Sequence, residues 1–207
     1  MNSLAPGIDA TSPLPPRFMT TRLPKFLMIL TLLAWFGLRA GNALEVGEPI
    51  PDLTATNQEE KPVALKEMAA SGYTLVYFYP KADTSGCTAQ ACSLRDAYEE
   101  LQQRGVRIYG VSTDTVGSQL KFQEKYHLPF ELLADPEGKV VDAFGVPRLK
   151  GFAARQAYLF KEGKLVWRDL KASTAKQAED VLKVLKANEA NESNNAGEAG
   201  KPAGRGR

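Results

Sequence analysis

The alternation of apolar and polar positions divides the middle of the chain into strands and helices. Leu75 to Tyr79 (LVYFY) is an unbroken aromatic and β-branched run, the pattern of a central strand buried on both faces. From Cys87 to Gln103 the spacing becomes helical, with Cys87, Ala91, Leu94, Tyr98 and Leu101 recurring at three- and four-residue steps until Gly105 stops the helix. Val106 to Val111 reads as a second strand, Val116 to Tyr126 as a second helix, and Phe130 to Leu133 as a short strand. Asp135-Pro136-Glu137-Gly138 is a turn leading into a short helix that ends at Phe144. Gln156 to Phe160 and Lys164 to Arg168 flank Lys161-Glu162-Gly163, a hairpin by turn chemistry. A closing amphipathic helix is expected from about Thr174 to Lys186, with Ala178, Val181, Leu182 and Leu185 on one face. This order implies an α/β domain with a central mixed β-sheet flanked by helices on both faces.

The pattern fails at both ends. Residues 1–43 read as an N-terminal extension with a signal peptide: Arg22 and Lys25 precede the apolar run Phe26 to Leu38, and Gly41-Asn42-Ala43 offers small residues for cleavage. That run is 13 residues long, short of the roughly 20 a membrane-spanning helix needs. Periplasmic or other export is therefore expected, with no stable membrane insertion after cleavage; an uncleaved N-terminal anchor is the alternative. The Pro- and Ser-rich stretch before Met19 adds nothing to the signal, so translation from Met19 is equally compatible. Residues 187–207 contain no aliphatic residue larger than Ala and no aromatic, and are expected to form a disordered tail. One domain, 44–186, lies between.

Composition narrows the chemistry. A net charge of +2 over 207 residues gives no case for nucleic acid. Two cysteines and one histidine are too few for a structural zinc site, which takes four such ligands.

The segment YPKADTSGCTAQAC (Tyr79 to Cys92) leaves the buried strand, crosses a loop and sets Cys87 in the first turn of the next helix. Unpaired N–H groups and the positive end of the helix dipole favour a thiolate there. Thr84 can present its hydroxyl to the same spot, and Pro80 can keep the approach dry. The lone His127, in an apolar run forty residues on, reads as a structural histidine, which argues against a Cys-His hydrolase. Activation must then come from the helix end and a cation, for which arginine, which stays charged, is the candidate. On an intact helix the Cα atoms of Cys87 and Cys92 would lie roughly 8.6 Å apart, and a disulfide needs less than about 7 Å. A bond between them requires unwinding, the mark of a switch; a structural bridge or two inert core cysteines are the alternatives.

These residues resemble the peroxiredoxins, specifically the bacterioferritin-comigratory (PrxQ) group, over about 140 residues from Val46 to Leu185. Pro80, Thr84 and Cys87 match the Pro-x-x-x-Thr-x-x-Cys motif, Cys92 matches a helix-borne resolving cysteine, and Arg155, before QAYLF, matches the active-site arginine. Ser85 departs from the proline common at its place, and Ala-Arg-Gln-Ala-Tyr departs from the usual Ser/Thr-rich run, leaving Arg148 as a second candidate. The resemblance implies a thioredoxin-like fold and a thiol peroxidase without metal, haem or flavin. Cys87 would attack a hydroperoxide held by Thr84 and Arg155 and shielded by Pro80. Its sulfenic acid would be captured by Cys92 as an intramolecular disulfide, and thioredoxin or a thioredoxin-like dithiol would reduce it. Resolution within one chain is compatible with a monomer. An exported thiol–disulfide oxidoreductase is the runner-up, disfavoured by the four-residue spacer between the cysteines, and a Sco-type copper chaperone is a third reading.

Overall fold

The structure, a computed structural model, describes residues 42–199. In chain order its elements are β1 (Thr54–Asn57), β2 (Pro62–Ala64), α1 (Leu65–Met68), β3 (Tyr73–Phe78), α2 (Ser85–Asp96), α3 (Tyr98–Gln103), β4 (Val106–Ser112), α4 (Val116–Tyr126), β5 (Glu131–Ala134), α5 (Lys139–Ala143), β6 (Arg148–Leu149), β7 (Phe152–Ala153), β8 (Gln156–Lys161), β9 (Lys164–Asp169) and α6 (Gln177–Ala199).

A seven-stranded sheet in the order β2-β1-β5-β4-β3-β8-β9 organises them. β3, β4 and β5 run parallel, while β8, β9 and the β1–β2 pair lie antiparallel to their neighbours. β3 sits inside the sheet, and all six of its residues are buried. Its side chains alternate between two cores, as the period of a strand demands. Tyr73, Leu75 and Tyr77 join Ala91 and Leu94 of α2, Leu101 of α3, Phe122 of α4 and Val181 and Leu185 of α6. Val76 and Phe78 face the opposite way, onto Leu65 and Met68 of α1 and Val140, Val141 and Phe144 at α5. This is the expected mixed sheet with helices on both faces.

The chain differs from the expected pattern in four places. The single helix expected over 87–103 is two, because the backbone leaves helical geometry at Ala97 (φ −100°, ψ 8°). The N-terminal hairpin β1–β2 and the small β6–β7 hairpin carry too few alternating positions to be seen as strands. α6 continues to Ala199, past Lys186 and into the stretch expected to be without order. Ala and Glu are strong helix formers, and an existing helix extends more easily than a new one nucleates. Arg104 also holds Glu189 at 2.7 Å. The rest of that tail, 200–207, and nearly all of the 1–43 targeting segment lie outside the described residues.

Between β8 and β9 the turn sits on Glu162 (φ 50°) and Gly163 (φ 78°), the two left-handed positions a tight hairpin requires. The packing of β3 on β4 needs Gly110: a Cβ there would lie 2.7 Å from both the Tyr77 ring and Leu132.

Candidate active site

β3 delivers the chain to the site. Its last residues lead through Tyr79 and the half-buried Pro80 into a loop that returns as α2 at Ser85. Two carboxylates hold this loop. Asp114 accepts the Ala82 N–H at 2.7 Å, and itself accepts the Ser112 hydroxyl at 2.7 Å. Asp83, in a left-handed conformation (φ 59°), accepts from Lys125 Nζ at 2.8 Å and from the Tyr126 hydroxyl at 2.6 Å. These bonds hold the Asp83 carboxyl below the ordinary carboxylate range.

Thr84 is the N-cap of α2 through its backbone, its carbonyl accepting the Thr88 N–H at 2.8 Å. Cys87 follows three residues later in the first turn, 1% exposed; Cys92 is half-buried on the same helix, and both are free thiols. Arg155, immediately before β8, donates Nη2–H to Cys87 Sγ at 3.3 Å and Nη1–H to Gln90 Oε1. A guanidinium thus lies within hydrogen-bond reach of a sulfur in the first turn of a helix.

The fold separates the candidates offered by the sequence. Cys87 and Arg155 are brought together across 68 positions. Arg148 is instead engaged elsewhere, with Asp142 at 2.8 Å and the Glu137 carbonyl. Thr84 is exposed, and its hydroxyl donates to the Lys81 carbonyl at 3.0 Å and not to the Cys87 sulfur. Pro80 begins the same loop. His127 is the exposed C-cap of α4 in a left-handed conformation (φ 51°), a structural position away from the sulfur's hydrogen bonds.

Several residues of the site carry no motif signal in the sequence. Gln90 is buried one helical turn after Cys87 and accepts from Arg155, so its three-residue spacing from the cysteine was the available clue. Gln177, at the start of α6, accepts from Gln90 Nε2 at 2.9 Å across 87 positions, and nothing local announces it. Gly86 packs so closely that a Cβ would lie 3.3 Å from both Arg155 Nη2 and Thr174 Cγ2. Beneath the site, burial pushes the Tyr77 and Tyr79 hydroxyls well above the usual phenol range, so neither acts as a base at neutral pH.

A strand-to-helix loop that holds a cysteine thiol under an arginine is a site for nucleophilic sulfur chemistry, and comparison with known proteins agrees. Residues 46–168 match the model of the AhpC/TSA family. Peroxiredoxin Bcp of Bacillus subtilis is 38% identical over 138 residues, covering 62% of this chain and 87% of that one. Peroxidoxin BcpB of Mycobacterium tuberculosis superposes with a TM-score of 0.65 at 30% identity, covering 70% of this chain and 97% of the other. The bacterioferritin comigratory protein of Xanthomonas campestris gives 0.64 at 29% identity, over 71% of this chain and 99% of its own. The shared architecture is the thioredoxin-like fold of the peroxiredoxins. The chain belongs to the AhpC/TSA family and, within it, to the Bcp/PrxQ peroxiredoxins, the thiol-dependent peroxidases.

Proposed function

We propose that Cys87 is the peroxidatic nucleophile, Cys92 the resolving thiol, and Arg155, Thr84 and Pro80 the groups that bind, polarise and shield the peroxide. The observation that carries this reading is the 3.3 Å contact from Arg155 Nη2 to Cys87 Sγ at the start of α2.

In the first step the Cys87 thiolate attacks the terminal oxygen of a hydroperoxide. An S–O bond forms, the O–O bond breaks, and the departing alkoxide or hydroxide takes a proton to leave as alcohol or water. Arg155 is placed to stabilise the negative charge as it moves from sulfur to the leaving oxygen. The Thr84 hydroxyl, released from the Lys81 carbonyl by a side-chain rotation, can donate to the same peroxide. In the second step Cys92 sulfur attacks the Cys87 sulfenic acid, the S–S bond forms and water leaves. An external dithiol then restores both thiols by exchange.

Hydrogen peroxide and organic hydroperoxides are the substrates in this reading. The Xanthomonas campestris relative is described for its alkyl peroxide reduction activity, which supports the organic class. The reductant is thioredoxin or a thioredoxin-like dithiol protein. With the 1–43 segment directing export, that reductant operates outside the cytoplasm, fed through the membrane.

One experiment tests the core of the reading. Reduced protein lacking residues 1–43 is mixed with one equivalent of hydrogen peroxide, and thiol loss is followed by stopped flow and intact mass. Rapid loss of both thiols, with a mass decrease of two hydrogens that Cys87→Ser abolishes, is expected. Oxidation no faster than that of a free thiol would overturn it.

A further inference from the structure

Behind Arg155 lies a second layer of buried polar groups. Gln90 and Gln177 are both fully buried, at 0% exposure. Buried amides need hydrogen bonds, and here the pairing is dictated by charge. An arginine has donors only, so the Gln90 atom facing it must be oxygen. The Gln90 Nε2 then points away and donates to Gln177 Oε1 at 2.9 Å. Gln177 is used only through its oxygen, since its Nε2 has no hydrogen-bond partner among the described residues. The result is a directed line from Gln177 to Gln90, from Gln90 to Arg155, and from Arg155 to the Cys87 sulfur.

The far end of this line is well anchored. Gln177 is the first residue of α6, whose Val181 and Leu185 are fully buried in the core. The next residue, Ala178, donates its N–H to the Ser93 hydroxyl of α2 at 3.2 Å. Gln90, by contrast, is held against its own flexibility by two side-chain bonds. Losing Gln177 leaves a buried donor unpaired and frees Gln90 to turn away from the arginine.

We propose that Gln177 is a positioning residue for the peroxide-reacting step, fixing Arg155 through Gln90 although it touches neither sulfur nor substrate. This rests on the assignment of Cys87 and Arg155 given above. Only the acceptor oxygen matters, so Gln177→Glu keeps the function and Gln177→Met removes it.

The test measures sulfenic acid formation with hydrogen peroxide by stopped flow. It uses the Gln177 variants in the otherwise unchanged chain and in an Arg155→Met background, with folding checked by circular dichroism. Gln177→Met should slow the step on the order of tenfold, the scale of a small misplacement of a catalytic group. Gln177→Glu should stay within about threefold of the unchanged chain, and Gln177→Met should have no further effect once Arg155 is gone. If Gln177→Met does not fold, Gln177→Asn, which shortens the side chain and withdraws the acceptor, is read in its place. The inference is overturned if the acceptor-deleted variant reacts at the unchanged rate. It is equally overturned if Gln177→Glu is as slow as that variant, or if the loss is the same without Arg155. An unsubstituted chain that reacts no faster than a free thiol would overturn the underlying assignment as well, and shows itself without any variant.

Discussion

Arg155 Nη2 lies 3.3 Å from Cys87 Sγ, joining the start of β8 to the start of α2 across 68 positions of sequence. In the proposed reaction a guanidinium in this place would act on charge that moves from sulfur to oxygen during attack. Replacing it by Met should lower the rate constant for hydrogen peroxide on the order of 10²- to 10³-fold, the range for loss of one preorganised donor. Stopped-flow oxidation at neutral pH measures this, and a change under tenfold would remove Arg155 from the reaction.

Cys92 should be dispensable for the first step. Cys92→Ser is expected to form sulfenic acid at the unchanged rate, seen as the gain of one oxygen by intact mass and trapped by dimedone. No intramolecular disulfide can follow, and turnover with a dithiol reductant should fall. Loss of the first step in this variant would show that Cys92 does more than resolve.

Gly86 separates activity from stability. A methyl group there meets Arg155 Nη2 and Thr174 Cγ2 at 3.3 Å, so the guanidinium must shift by a few tenths of an ångström. Gly86→Ala should therefore slow peroxide reduction several-fold while changing the unfolding free energy by less than about 1 kcal/mol, since Ala also favours the helix. Denaturant titration alongside peroxide kinetics distinguishes the two effects.

Gly110 is the opposite case. Its added Cβ would sit 2.7 Å from the Tyr77 ring and Leu132, both rigidly packed. Gly110→Ala should destabilise the domain by about 1–3 kcal/mol, the usual cost of overpacking. A lowered denaturant midpoint with unchanged slope is the expected result.

The Asp83 carboxyl is held below its ordinary value, first by the Lys125 and Tyr126 side-chain hydrogen bonds. A depressed carboxylate stabilises the fold above its unfolded value and ceases to do so as pH falls through its folded value. Thermal midpoints of the unchanged chain and Asp83→Asn should therefore differ at neutral pH and converge below about pH 3. The Lys125 pair is exposed, so added salt should narrow the neutral-pH gap.

How far the sequence exposed all this depends on the range of each signal. β3 was legible because burial on two faces leaves an uninterrupted apolar run. Thr84 and Cys87 could be found because a loop and a helix start place them within four positions of each other. The break at Ala97 was hidden, since Tyr98 and Leu101 continue the apolar spacing across it. β6 and β7, at two residues each, are too short to show a period. Arg155 was preferred to Arg148 from its place before QAYLF, but only the tertiary contacts show that it reaches the sulfur while Arg148 is engaged with Asp142. Gln177 was out of reach for the same reason: its partner is 87 residues away, and the polarity of its site is visible only from inside the core.

One consequence concerns time. Cys87 and Cys92 share a single continuous helix, clamped to α6 by the Gln90–Gln177 and Ser93–Ala178 bonds. In the proposed reaction an oxidised Cys87 would wait for those clamps to open before Cys92 could reach it, and during that wait a second peroxide would compete for the same sulfur. Each 1.4 kcal/mol added to the opening lengthens the wait about tenfold. On the proposed roles of the two cysteines, the firmness of the α2–α6 contact would act as a clock, setting the peroxide concentration above which Cys87 is carried on to the sulfinic state.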